Sequence, residues 1–283
     1  MAVPVHAEES NFAKTLASAE KGDAEAQYVM GRSYAKGDRI AQNFAKAIEW
    51  YRKAAEQGNP KAQSNLGAHL LEGTGIKADA AEAVKWFRKA AEQGDSIAQY
   101  NLGLMISQGN GHPRDVKEAS LWFEKAAQQG LASAQASLGE LLLLGAYGIP
   151  RNYVDAAKWL RMAAEQGNAK GQNSLGVMLE EGLGMDRNLR EAASLFRKAA
   201  DQNHARGRVN LGRMYEIGGG GLGRDYVKAY YYYTLASVAG EDLGMKAKAA
   251  LEISKKIRRD QIVTARNLAQ AYFSGRGKPD FDR

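Results

Sequence analysis

The sequence predicts an all-α fold: a right-handed α-solenoid superhelix of helix-turn-helix repeats of about 36 residues. Three observations carry this. A closing motif recurs as AAEQG at 54–58, 90–94 and 163–167, as AAQQG at 126–130 and as AADQN at 199–203, with degenerate forms at 19–22 and 236–240. Its last residue falls at 22, 58, 94, 130, 167, 203 and 240, in steps of 36, 36, 36, 37, 36 and 37. An apolar-Gly pair keeps the same step at Met30-Gly31, Leu66-Gly67, Leu102-Gly103, Leu138-Gly139, Leu175-Gly176 and Leu211-Gly212. An aromatic or apolar pair does so too: Trp50-Tyr51, Trp86-Phe87, Trp122-Phe123, Trp159-Leu160, Leu195-Phe196 and Tyr232-Tyr233. A fixed period of this length marks stacked units, none of which buries its apolar face alone.

Each repeat reads as two helices. The first starts after Asp23, Asn59, Asp95 or Asn168, whose side-chain oxygens suit the free N–H groups of a helix start. Pro60 takes the first helical position after Asn59, where its missing N–H is harmless. The second helix starts after Asn43, Asp79, Asp115, Asn152, Asn188 or Asp225. Glu82, Glu118 and Glu191 stand three residues further on and are expected to complete capping boxes. The recurrent closing Gly, or Asn203, is expected in the left-handed conformation that ends a helix. A glycine inside the first helix costs about 1 kcal/mol relative to alanine, so its recurrence implies close approach by a neighbour. The Ala54-Ala55 pair implies a similar contact, with the Trp and Tyr positions filling the larger gaps between layers. The extra residues of the longer repeats fall between the paired helices, around Gly145–Gly148 and Gly218–Gly223.

Composition sets limits on function. Apolar residues make up 45% of the 283 and charged residues 25%, which is ordinary for a globular chain and excludes wholesale disorder. No apolar run approaches the ~20 residues of a membrane span. Cysteine is absent, which excludes disulfide scaffolds, cysteine catalysis and thiolate metal sites. The net charge is +7, and residues 244–283 hold ten Lys/Arg against four Asp/Glu. The charge therefore belongs to a basic end on a balanced body, which disfavours a nucleic-acid groove.

Catalytic patterns are missing. His6, His69, His112 and His204 do not pair at metal-ligand spacing and read as surface or loop side chains. There is no nucleophile elbow and no phosphate loop. Gly218-x-Gly220-x-x-Gly223 fits a dinucleotide fingerprint formally, but it joins two helices and follows no strand, so it reads as an insertion. The pairs Gly73/Gly75, Gly109/Gly111 and Gly182/Gly184 sit at the same turn and read as turn chemistry. Within Tyr230–Tyr233, the frame assigns Tyr232 and Tyr233 to the core and leaves Tyr230 or Tyr231 free for contacts. No catalytic residue, metal or cofactor is expected.

Two terminal features carry expectations. Lys255, Lys256, Arg258 and Arg259 form a basic cluster that could bind an anionic polymer or lipid. Its simpler reading is a solvated helix end, where cations complement the C-terminal dipole. At the other end, Val5-His6-Ala7 before Glu8-Glu9-Ser10 looks like the close of a secretory signal. Residues 1–10 then read as a signal remnant, with the mature chain starting at Glu8 and residing in the periplasm or outside the cell. The alternative is a disordered arm on a cytoplasmic chain.

The composite pattern A-x-x-x-L-G, G-x-G, Asp/Asn, K-A, W-[YF] and A-A-x-x-G resembles the Sel1-like repeat family, relatives of the tetratricopeptide repeats. The resemblance covers residues 11–240, as six repeats after an N-terminal half-repeat. Residues 241–283 are similar to the capping helices and tail of such proteins, in the run Gln261-Ile262-Val263-Thr264-Ala265-Arg266-Asn267-Leu268-Ala269. Departures are Leu195 and Tyr232 in place of tryptophan, and the lack of the paired cysteines many relatives carry. The resemblance implies a non-enzymatic interaction scaffold or regulator, of bacterial and periplasmic or exported type. Some cysteine-rich relatives bind or hydrolyse β-lactams; that alternative needs a nucleophile beside a base, which this sequence does not offer. In the cap, Leu251, Ile253, Ile257, Ile262, Leu268, Tyr272 and Phe273 are expected to cover the last repeat.

The resemblance also implies where a protein or peptide partner binds. A second stripe on the first helices is similar to groove-lining positions of tetratricopeptide repeats. It holds Tyr28, Arg32, Leu71, Tyr100, Leu104, Glu140, Leu143, Val177, Arg213 and Glu216. The stripe is apolar in the middle repeats and charged at the ends, as recognition surfaces are. Charged residues at Tyr100 and Leu104 are therefore expected to spare folding and weaken binding by at least ~2 kcal/mol. The competing reading is a closed inner wall.

Overall fold

The computed structural model describes residues 5–277, 279 and 281, the first seven as backbone only. Among them are fifteen helices and no strand. The chain divides into two compact bodies, residues 1–134 and 135–283. The first holds α1 (Val5–Glu20), α2 (Ala24–Lys36), α3 (Phe44–Glu56), α4 (Pro60–Glu72), α5 (Ala80–Glu92), α6 (Ser96–Gln108) and α7 (Val116–Gln128). The boundary falls in α8 (Ala132–Leu144). The second body continues with α9 (Tyr153–Glu165), α10 (Ala169–Glu181), α11 (Leu189–Asp201), α12 (Ala205–Ile217) and α13 (Tyr226–Val238). It closes with α14 (Asp242–Ile253) and α15 (Arg259–Phe273). Consecutive helices pack on one another from α1 to α7 and from α9 to α14, as in a solenoid, and α15 packs on α13. Within the stretch expected as an arm or signal remnant, residues 1–10, α1 starts at Val5.

The helix starts follow the sequence closely. Each of the ten Asp and Asn caps accepts a hydrogen bond from the backbone N–H three residues on. The structure adds His204, which caps α12 by accepting from Gly207 N at 3.1 Å. The expected capping boxes do not form. The backbone N–H groups of Asp79, Asp115 and Asn188 donate instead to Leu70, Ile106 and Leu179 of the preceding helix. Glu82, Glu118 and Glu191 are thereby released to pair with Arg52, Arg88 and Arg161 of the preceding repeat, at 3.2, 2.9 and 3.4 Å. These half-exposed pairs contribute roughly 0–1 kcal/mol each, so they set register more than stability.

The interior glycines accept side chains rather than backbone. A Cβ at Gly31, Gly67, Gly103, Gly139, Gly176 or Gly212 would stand 2.5–3.0 Å from Tyr51, Phe87, Phe123, Leu160, Phe196 or Tyr233 of the same repeat. The second member of each pair thus packs against the bare backbone of the glycine in its repeat's first helix. Trp50, Trp86 and Trp122, the first members, carry Lys53, Lys89 and Lys125 over their rings at 4.5, 4.4 and 4.1 Å. Trp86 and Trp122 are nonetheless buried, as gap-filling residues should be, whereas Trp50 is half-buried. The alanine pairs do mark close contacts, as expected. At Gly171 and Gly207 a Cβ would come 2.7 and 2.8 Å from the Cβ of Ala163 and Ala199.

The G-x-G turns do more than turn. The first glycine is the left-handed helix end, as at Gly109. The second crosses the preceding repeat: a Cβ at Gly111 would stand 2.3 Å from the Ala80 carbonyl oxygen. Gly220 meets Leu189 O in the same way, so the glycine-rich insertion is a connection between helices.

A buried amide ladder escaped the sequence reading. Gln57, Gln93, Gln129, Gln166 and Gln202 donate to Gln27, Gln63, Gln99, Gln135 and Gln172 at 2.7–2.9 Å. Gln27, Gln63, Gln99 and Gln172 in turn donate to the carbonyl eight residues back, at 3.0–3.3 Å. The first bonds tie each closing motif to the first helix of its own repeat and the second tie it to the next first helix, and satisfied buried amides such as Gln63 and Gln99 fix one register.

The cap differs from expectation in detail. Leu251 and Ile257 are buried, and Ile262, Leu268 and Tyr272 half-buried, but Ile253 and Phe273 are 80% and 49% exposed. Ala265 and Ala269 take the covering role, because α15 approaches closely. Tyr230 and Tyr231, expected to be free, are buried. The Tyr230 hydroxyl is held by Glu252 and by Arg266 at 2.9 Å.

Candidate partner-binding groove

In the first body the predicted stripe lies on α2, α4 and α6, and it is partly wall. Tyr28 is buried, with its ring 6.2 Å from Tyr51 and with Arg32 and Lys61 over it at 5.8 and 5.9 Å. Leu71, Tyr100 and Leu104 are half-buried. Tyr100 packs 5.7 Å from Phe123, so a charge at Tyr100 would disturb the core as well as the surface. Ile97, one turn earlier on α6, is 57% exposed.

The second body gathers the stripe into a concavity of about 370 Å³. Leu143, Leu144 and Val177 give it an apolar floor, on α8 and α10. Glu140, Lys170, His204 and Arg206 surround that floor, with Asn173 and Ser174 between them. Glu140 accepts from Ser174 Oγ at 2.8 Å and pairs with Lys170 Nζ at 2.7 Å. Arg206 is held only loosely, 3.7 Å from Glu241, and stays mostly exposed. Arg213 and Glu216, predicted for the same stripe, lie outside this concavity. Arg213 makes a two-pronged bond to Glu180, while Glu216 accepts from Tyr233 OH at 2.8 Å. These two are committed to internal pairs, which sequence spacing does not reveal.

His204 ties the groove wall to helix α12. Burial is the main force lowering its pKa below the usual 6.5; Arg206 and Lys170 push the same way, and Glu140 and Glu241 oppose them. The neutral ring is the form that can cap, because Nδ1 must accept from Gly207 N–H. A histidine pKa depressed on folding contributes stability that is present above about pH 6.5 and is lost as pH falls through the folded-state value. His204→Asn, which copies the caps of other repeats, is expected to abolish this loss. The check is the melting temperature of both proteins from pH 7.5 down to about pH 5; parallel curves would contradict the capping role.

The basic cluster is not one solvated helix end. Lys255 and Lys256 follow α14, but Arg258 caps α15 and Arg259 is its first residue, at the end where the dipole disfavours cations. Asp260 offsets this by bonding Arg258 at 3.0 Å. Lys256 reaches Glu216 at 4.0 Å. Among the described residues no group of three His, Asp or Glu is placed to hold a metal ion. No described helix is long and apolar enough to cross a membrane.

Stacked helix pairs with an apolar concavity on their first helices define an α-solenoid repeat protein. Comparison with known families finds six Sel1 repeats, at residues 24–59, 60–95, 96–131, 132–168, 169–204 and 205–240, and the chain belongs to the Sel1 repeat family. No curated protein matches it. Among solved structures it is similar to c5321 of uropathogenic Escherichia coli, a protective antigen with an SLR fold, at 33% identity and a TM-score of 0.72. That match covers 92% of this chain but 59% of c5321, so the chain spans well under two thirds of that protein. It is also similar to a Sel1 repeat protein from Oxalobacter formigenes, at 32% identity and a TM-score of 0.69, over 76% of this chain and 85% of the other.

Proposed function

We propose that this protein is a non-enzymatic interaction scaffold that holds a peptide segment of a partner protein in the groove of its second body. The observation that carries this reading is the concavity that Leu143, Leu144 and Val177 line together with Lys170 and Arg206. Leu144 is 60% exposed, although burial would stabilise it. Apolar side chains left open inside a charged rim are the makings of a binding hot spot. The rim carries Lys170 and Arg206 against Glu140, and Glu140 is already paired. The matching segment therefore presents one compact apolar side chain with an acidic residue beside it.

A displayed library of random peptides supplies the probe. Selection on the wild-type protein is expected to enrich that pattern. Leu144→Glu with Val177→Glu should keep the helical content and weaken the selected peptides by at least ~2 kcal/mol, about 30-fold in Kd. Unchanged affinity in the folded double variant would overturn the reading.

We also propose that the protein acts outside the cytoplasm, in the periplasm or beyond. The support is the Val5-His6-Ala7 segment before Glu8. Mass spectrometry of the native protein is expected to find Glu8 as the first residue; an intact Met1 in a cytoplasmic fraction would contradict it.

A further inference from the structure

The last repeat breaks the amide ladder. The position held by Gln27, Gln63, Gln99, Gln135 and Gln172 is occupied by Arg208, and it is only 4% exposed. A guanidinium so deeply buried needs acceptors for its N–H groups. Nη1 donates to Leu235 O at 3.4 Å, while Nη2 donates to Asn203 Oδ1 and to Tyr272 OH. Nε finds nothing. Among the described residues it is the one buried side-chain nitrogen or oxygen without a hydrogen-bond partner. An orphaned donor on a buried cation is costly, because its lost hydration is not replaced.

Arg208 lines a cavity of about 150 Å³, separate from the groove. Its walls are Tyr215, Tyr231, Tyr272 and Phe281, with Arg197 as a second cation and Asp201 as the acid. Among the described lining residues two arginines stand against one aspartate, which suits a monoanion. The volume matches an aromatic ring of benzene size. With both Nη2 hydrogens already used, the orphaned Nε–H is left for one charge-assisted bond, and a carboxylate oxygen is the acceptor that makes it strongest.

We propose that this cavity binds a monocarboxylate carrying a compact aromatic or apolar group, with the carboxylate on Arg208 and the ring among the tyrosines. A free aromatic acid and the C-terminal residue of a peptide share this chemistry.

Calorimetry on the full chain tests the site with benzoate and N-acetylphenylalanine as probes, and with benzamide and N-acetylphenylalaninamide as their neutral counterparts. At least one acid is expected to bind saturably, and its amide at least tenfold more weakly. Binding of benzoate alone assigns the site to a free acid; stronger binding of N-acetylphenylalanine assigns it to a peptide end. Arg208→Gln restores the residue of the other five repeats, with Ala200 O as its expected acceptor, by analogy with the bond from Gln172 to Ala164 O. It should melt cooperatively, keep its affinity for groove-selected peptides, and lose the acid at least tenfold. Absence of saturable binding by either acid overturns the proposal, as does equal affinity for acid and amide. Neither result depends on the variant folding or on the groove.

Discussion

Phe196→Ala is expected to destabilise the second body by about 3–5 kcal/mol, the cost of emptying a buried aromatic site. The ring is fully buried and lies on the bare backbone of Gly176, where a Cβ would stand 2.6 Å from it. Gly176→Ala alone should also destabilise, because the ring is enclosed and cannot yield. This runs against helix propensity, which favours alanine by about 1 kcal/mol. Combined, the two changes should be less damaging than their sum, since the new methyl enters the space the ring left. Urea unfolding of the four proteins measures this coupling. A stabilising Gly176→Ala would show that the glycine is no packing device.

Removal of residues 241–283 is expected to abolish the monomeric, fully helical protein. Helices α14 and α15 pack on α13, where Tyr230 and Tyr231 are buried. Without them that face opens to water, and terminal repeats of solenoids need a polar outer side. A milder version keeps the chain whole: Leu251→Ala, at a site 1% exposed, should cost about 2–5 kcal/mol. Size exclusion and circular dichroism report the truncation, and urea unfolding the substitution. A soluble, helical monomer of residues 1–240 would remove the cap from the account.

The period was legible because three markers keep one frame, and the caps because Asp and Asn act locally. What escaped the sequence was long-range pairing. Glu82 has the right offset for a capping box, but the Asp79 N–H is taken by Leu70 O, and only the fold shows that. The glutamine ladder was hidden by its ordinary composition: Gln27 and Gln57 carry no local signal and meet only when the two helices of a repeat pack, and Gln63 reaches Ala55 O only when repeats stack. His204 was read as a surface side chain because histidine is an unusual cap; its equivalence to Asn168 in the frame is the signal that could have found it. Of the predicted stripe, Glu140, Leu143 and Val177 come together in one concavity. Tyr100 is drawn into packing by Phe123, and Arg213 into a pair with Glu180, neighbours that no spacing rule names.

The central claim is that the partner segment lies across the first helices of the second body. Amide hydrogen exchange, with and without a peptide selected on the wild-type protein, reads its position directly. The account predicts added protection in α8, α10 and the start of α12, around Leu143, Val177 and Arg206. Protection confined to the second helices, or to α14 and α15 around Lys255 and Arg258, would contradict it.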